Sequence, residues 1–161
     1  MNTFIRVHPR PLSGEIPPGP QPPIKQMNTN LDTLTKRVLG AVFEVSNTLG
    51  SGFLEKVYER ALLQELRLQN IQAIPQAPCP ILYKGEPVGH YYADLLVEDV
   101  LILELKCVET LAIPHTAQCL NYLRASGLNL CLLINFQRPK VEWKRVVHNL
   151  HPSSSALIRV P

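Results

Sequence analysis

Asp94, Glu104 and Lys106 are the residues whose types and spacing point to chemistry. Glu104 and Lys106 stand at i and i+2 inside Val100-Leu101-Ile102-Leu103-Glu104-Leu105-Lys106-Cys107-Val108, an otherwise apolar run. Such a run, bounded by turn signals, reads as a central strand covered on both faces. Alternation along a strand puts both charges on one side. Charged groups are seldom buried without a partner, because isolated burial is costly. Asp94 lies on the preceding extended segment, Tyr91-Tyr92-Ala93-Asp94-Leu95-Leu96, from which a hairpin can carry it to Glu104. Two carboxylates suit Mg²⁺, which takes one or two such ligands and keeps several waters. A bound ion lowers the pKa of its water, and a neighbouring lysine can steady negative charge on phosphorus. The chemistry this set could perform is metal-assisted hydrolysis of a phosphodiester. The competing reading is a buried cluster held only by its own ion pairing.

Hairpin parity decides whether the two carboxylates can meet. A two-residue turn at Glu98-Asp99 would pair Val97 with Val100 and set Asp94 against Leu103, pointing away from Glu104. A three-residue turn at Glu98-Asp99-Val100, or a bulge, pairs Val97 with Leu101 and brings Asp94 level with Glu104. The second arrangement is the expectation, with Lys106 on the same side and the helix carrying Glu55 facing it.

The elements that must position this set follow from periodicity. Leu31, Leu34, Val38, Ala41, Val42, Val45 and Leu49 form one helical face, ended by Gly50-Ser51-Gly52. A second helix has Leu54, Val57, Tyr58, Ala61, Leu62 and Leu66 as its stripe. Pro75, Pro78 and Pro80 predict an edge strand leading to Ile81-Leu82-Tyr83. Strands are then predicted at 88–97 and 101–107, a third helix at 115–126 ending at Gly127, and strands at 130–136 and 141–147. The order is α-α-β-β-β-α-β-β, an α/β chain with a mixed sheet.

Seven of the 15 prolines fall in residues 1–30, which are read as a disordered leader. Met27-Asn28-Thr29 repeats Met1-Asn2-Thr3, so either methionine can be the working start. Residues 31–149 form the single domain and 150–161 a flexible tail. Arg6, Arg10 and Lys25 outweigh Glu15 in the leader, and Arg159 lies in the tail; together they account for the whole net charge of +3. The core is therefore neutral and lacks the electrostatic footprint of an avid nucleic-acid binder. No apolar stretch is long enough for a membrane span. The four cysteines show no CxxC pair and read as buried free thiols of a cytoplasmic protein.

Gly52-Phe53-Leu54-Glu55-Lys56-Val57-Tyr58 resembles the naming motif of the GxxExxY family, a branch of the PD-(D/E)XK nuclease superfamily. Asp94 and Glu104-Leu105-Lys106 match the superfamily's Asp and ExK elements. His115-Thr116-Ala117-Gln118-Cys119-Leu120-Asn121-Tyr122 is similar to the helix that follows, and Leu133-Ile134-Asn135-Phe136 to the next strand. Two positions depart: Ser46 stands where many relatives have His, and Tyr92 replaces an often basic residue. The resemblance implies a restriction-endonuclease-like fold and an endo- or exonuclease using Mg²⁺, with Mn²⁺ as a substitute, on DNA ahead of RNA. It implies Asp94, Glu104 and the Leu105 carbonyl as metal ligands and Lys106 as the water-orienting cation. Glu55 would be an auxiliary acid, and Gln118 and Tyr122 would bond Lys106 or substrate. His115, at a helix N-terminus, reads as a cap ahead of a phosphate contact. The alternative is a nuclease fold kept as a silent nucleic-acid or protein interaction module.

Overall fold

A computed structural model describes residues 24–148, with side chains from Asn30 onward; the rest of the leader and the tail lie outside the described residues. The observed order is α1 (Ile24–Leu49), α2 (Glu55–Leu68), β1 (Ala73–Tyr83), β2 (Glu86–Val97), β3 (Leu101–Lys106), α3 (Ile113–Ser126), β4 (Leu130–Asn135) and β5 (Glu142–Val147). This is the α/β order the periodicity predicts. Helix α1 starts seven residues before the apolar face begins at Leu31.

The five strands lie side by side in chain order. β1–β2, β2–β3 and β4–β5 are antiparallel, whereas β3–β4 is parallel and needs α3 as its crossover. The proline-bearing β1 takes an edge, where a missing N–H costs no ladder bond. β3 and β4 are central and buried almost throughout, as their unbroken apolar runs require.

Alternation splits the core into two layers. Leu101, Leu103, Leu105, Leu130, Leu132 and Ile134 meet α1 and α2 through Val38, Val42, Val45, Tyr58, Leu62 and Leu66. Ile102, Cys131 and Leu133 face α3 through Cys119, Tyr122 and Leu123. All four cysteines are free, and three are buried. No helix among the described residues is long and apolar enough to cross a membrane.

The predicted stripe of α2 needs correction at its start. Leu54 precedes the helix and is 79% exposed, and Val57 is 38% exposed. Tyr58, also in that stripe, does point inward, stacking on Phe136 at 4.5 Å between ring centroids. That roll leaves Leu54 and Val57 outside and turns Glu55 towards the end of β3.

Candidate active site

The β2–β3 turn carries the geometry. Val100 N donates to Val97 O at 3.1 Å, closing a tight turn whose central residues Glu98 and Asp99 are both left-handed (φ 49° and 59°). Val97 nevertheless pairs with Leu101, so Val100 is an extra residue and the register slips by one. The left-handed conformations are held by Gln72, whose N–H donates to Glu98 Oε1 (2.7 Å) and whose carbonyl accepts from Glu98 N (3.0 Å). Leu96 then opposes Ile102 and Leu95 opposes Leu103, which sets Asp94 level with Glu104. The parity that a shared site demands is present.

At Asp94 the ladder opens. Its Oδ2 accepts from Leu105 N at 2.7 Å, so a side chain takes the place of the backbone bond that would have continued the pairing. On the other side Gln76, level with Asp94 in β1, is left-handed (φ 51°) and unpaired in the ladder. Ala93 packs beneath α3 and Leu95 beneath α1 and α2, although they are only two residues apart. β2 therefore twists across the sheet at Asp94 and drives its carboxylate into the wedge beside β3.

Glu104 and Lys106 point together, with Lys106 Nζ 2.8 Å from Glu104 Oε1. Glu104 is 2% exposed, and its Oε2 is buried without a hydrogen-bond partner. Desolvation, then the Asp94 charge, pushes the Glu104 carboxyl up to about 7 against the pull of Lys106. Asp94 is also raised by desolvation, which the Leu105 N–H opposes. Glu55 is raised by burial, and the Lys106 charge opposes the rise. Burial alone would lower the Lys106 ammonium, but the hydrogen bond and charge of Glu104, with Glu55 and Asp94 beyond, raise it. Three carboxylates that resist ionisation around one lysine make a site short of positive charge.

The loop before α2 is locked by Tyr58. Its hydroxyl donates to Gly50 O (2.7 Å) and accepts from Phe53 N (3.3 Å), while Gly52 takes φ 103°, a conformation that favours glycine. Gly52 thus turns the chain and Tyr58 locks it, while Glu55 lies within reach of the Lys106 and Asp94 charges. Glu59, one turn after Glu55, escaped the sequence reading. It is buried, accepts from Lys56 Nζ at 2.7 Å and from Gln76 Nε2 at 2.9 Å, and its charge raises Asp94. The i, i+4 spacing from Glu55 was the available signal.

Gln118 and Tyr122 bond each other rather than Lys106: Gln118 Nε2 donates to Tyr122 Oη at 2.8 Å, and Tyr122 Oη donates to Tyr92 O at 3.2 Å. Tyr122 is nonetheless close to the site, since burial and then the Glu104 charge raise its phenol. His115 caps α3, its Nδ1 accepting from Ala112 N at 2.9 Å. Asn135, also missed, clamps the chain leaving β3: its Oδ1 accepts from Val108 N (3.1 Å) and its Nδ2 donates to Val108 O (2.7 Å).

No three His, Cys, Asp or Glu side chains among the described residues converge to hold an ion by themselves. The donors present fit a hard cation that keeps most of its waters: two carboxylates held in register, one with a buried oxygen lacking any partner.

This wedge, on a mixed five-stranded sheet flanked by helices, matches the architecture of a nuclease class. A family model for the PD-(D/E)XK nuclease superfamily matches residues 32–146, and the chain belongs to that superfamily. Nucleases of this superfamily generally use divalent metals. A solved structure titled "Crystal structure of SSO0001" is similar at a TM-score of 0.46 and 15% identity, covering 79% of this chain; the chain spans 64% of that one. No curated protein matches.

Proposed function

We propose that the protein is a Mg²⁺-dependent nuclease of the GxxExxY type, hydrolysing phosphodiester bonds in DNA ahead of RNA. The observation that carries this reading is the unpartnered, buried Glu104 Oε2 beside a carboxylate in matching register. Asp94 and Glu104 would hold the cation. The Leu105 carbonyl supports a third ligand, because the N–H and C=O of one strand residue point to the same side and Leu105 N–H already meets Asp94. A divalent ion there would supply Lewis acidity and acidify a bound water. Lys106, held by Glu104, keeps its proton and can orient the attacking water or steady charge on the phosphate. Glu55, raised by burial, is placed to exchange a proton at the edge of the site. Gln118 would act through Tyr122, which it bonds and which lies near Glu104.

The neutral core favours one other reading, an interaction module without catalysis. Incubating purified protein with plasmid, linear and single-stranded substrates in Mg²⁺, Mn²⁺ or EDTA separates the two. Metal-dependent cleavage lost in Glu104→Ala and Lys106→Ala is the expected result. Cleavage that survives both substitutions moves the chemistry elsewhere, and tight binding without cleavage supports the module.

A further inference from the structure

We infer that the groove between the β1–β2 extension and α3 is a binding site for an unpaired nucleotide, making a single strand the preferred substrate. The inference rests on the nuclease reading and deepens it. β2 pairs with β3 only from Leu95 to Val97, so most of the β1–β2 ribbon runs on past the central sheet. Between that ribbon and α3 lies a groove of about 460 Å³, lined by Pro80, Ile81, Leu82, Tyr91, Asn121 and Arg124. Its size falls within the range of small-molecule sites.

Its chemistry suits a nucleotide better than a peptide or duplex. Tyr91 is 45% exposed and leans edge-on against Tyr122, with ring centroids 5.8 Å apart. An aromatic ring fixed in this way offers a stacking surface to any base. Arg124 forms no ion pair among the described residues, so its guanidinium is available to a phosphate. The Asn121 side chain, one turn from Arg124, makes no hydrogen bond among them either, and its amide can address a base edge.

Tyr122 links the groove to the site. Tyr122, which buttresses Tyr91, also bonds the Tyr92 carbonyl and lies near Glu104. Tyr91 is three residues before Asp94, about 10 Å along an extended strand. A strand passing from groove to wedge would have its bases turned against protein, which a paired duplex cannot do. The neutral core agrees, since stacking needs fewer phosphate contacts than gripping a duplex. Gly89 opposes Ile81 in the ladder, and a Cβ there would meet nothing within 4 Å. Alternation puts Gly89 on the face of Tyr91, two residues on, so a larger side chain there would project beside the groove.

The test measures binding of a short fluorescent oligothymidylate, alone and as a duplex with oligoadenylate, by anisotropy in EDTA. Tyr91→Ala should weaken single-strand binding about 5- to 150-fold, the range for losing one stacked base, with Tyr91→Phe restoring most of it. Gly89→Val, which adds bulk opposite Ile81 where a Cβ meets nothing within 4 Å, should weaken it as well. Duplex binding should change little in any groove variant. Equal losses for both probes, unchanged binding in the groove variants, or no binding of the single strand would overturn the inference. Groove-dependent binding by a protein that never cleaves would sink the nuclease reading instead and leave the groove assignment standing.

Discussion

Replacing Glu104 by Gln should make the metal-free protein more stable, although it removes half of a buried ion pair. The Glu104 carboxyl sits at about 7 instead of 4.5, a rise that already includes the help of Lys106. At ~1.36 kcal/mol per unit, keeping it ionised costs the folded state roughly 3 kcal/mol. The sign follows from proton counting. Below about pH 4.5 the group is protonated in both states and contributes nothing. Between about 4.5 and 7 the folded state keeps a proton that the unfolded state has released, so stability falls as pH rises. Above 7 the full penalty applies. A neutral amide avoids it but brings an NH₂ group into a buried position, which returns about 1–2 kcal/mol. The net expectation in EDTA at pH 8 is a gain of about 1–2 kcal/mol, or roughly 2–6 °C in melting temperature. The gap should close towards pH 5. Urea and thermal melts of both proteins at the two pH values read it directly. Adding Mg²⁺ at pH 8 should stabilise the wild type and not the variant, because only the former offers the charged ligand. A variant less stable at pH 8 than the wild type, or a gap that ignores pH, would refute the placement of an uncompensated carboxylate at this position.

Lys106→Ala should abolish cleavage while keeping the Mg²⁺-induced rise in melting temperature, whereas Asp94→Ala should lose both; activity assays run beside melts with and without EDTA distinguish them. Tyr58→Phe keeps the stack on Phe136 but leaves Gly50 O and Phe53 N without their partner. It should cost about 1–3 kcal/mol in urea melts and reduce cleavage through Glu55, and an unchanged stability would show that water replaces the hydroxyl. Glu59→Gln frees Lys56 and removes a charge that raises Asp94, so the pH midpoint of cleavage should move down. An unmoved midpoint would separate Glu59 from the site.

What could be read from the sequence was set by which interactions are local. The order of elements follows from periodicity, and the β2–β3 register follows from parity: only a one-residue slip lets Asp94 and Glu104 share a side, and Val100 supplies it. Periodicity says which residues are apolar but not how a short helix rolls about its axis. Leu54, Val57 and Tyr58 all fit the stripe of α2, yet only Tyr58 is buried, held by a stack and two hydrogen bonds with residues outside the helix. Glu59 was passed over because its partner Gln76 lies 17 residues away on a strand. Asn135 was hidden similarly, its function being to bind Val108 across a crossover. Gln118 and Tyr122 were legible as a pair by their i, i+4 spacing, but spacing cannot tell a pair that reaches outward from one that bonds internally.

The location of the carboxylates explains why the protein tolerates them. β3 pairs with β4 along its whole length, from Leu101 to Lys106, while its pairing with β2 stops at Leu103. Full pairing on one side fixes Glu104 and Lys106 in place. The opening on the other side gives Asp94 room to approach and a free N–H at Leu105 to hold it. A regular hairpin would have spent that N–H on a carbonyl and closed the wedge. On the opposite face, Leu103 and Leu105 are packed against α1 and α2. Moving β3 to relieve the carboxylates would open that core, where truncating even one buried Leu typically costs 2–5 kcal/mol. Relaxation thus costs about as much as the ~3 kcal/mol held at Glu104, and the charges stay together until something positive arrives between them.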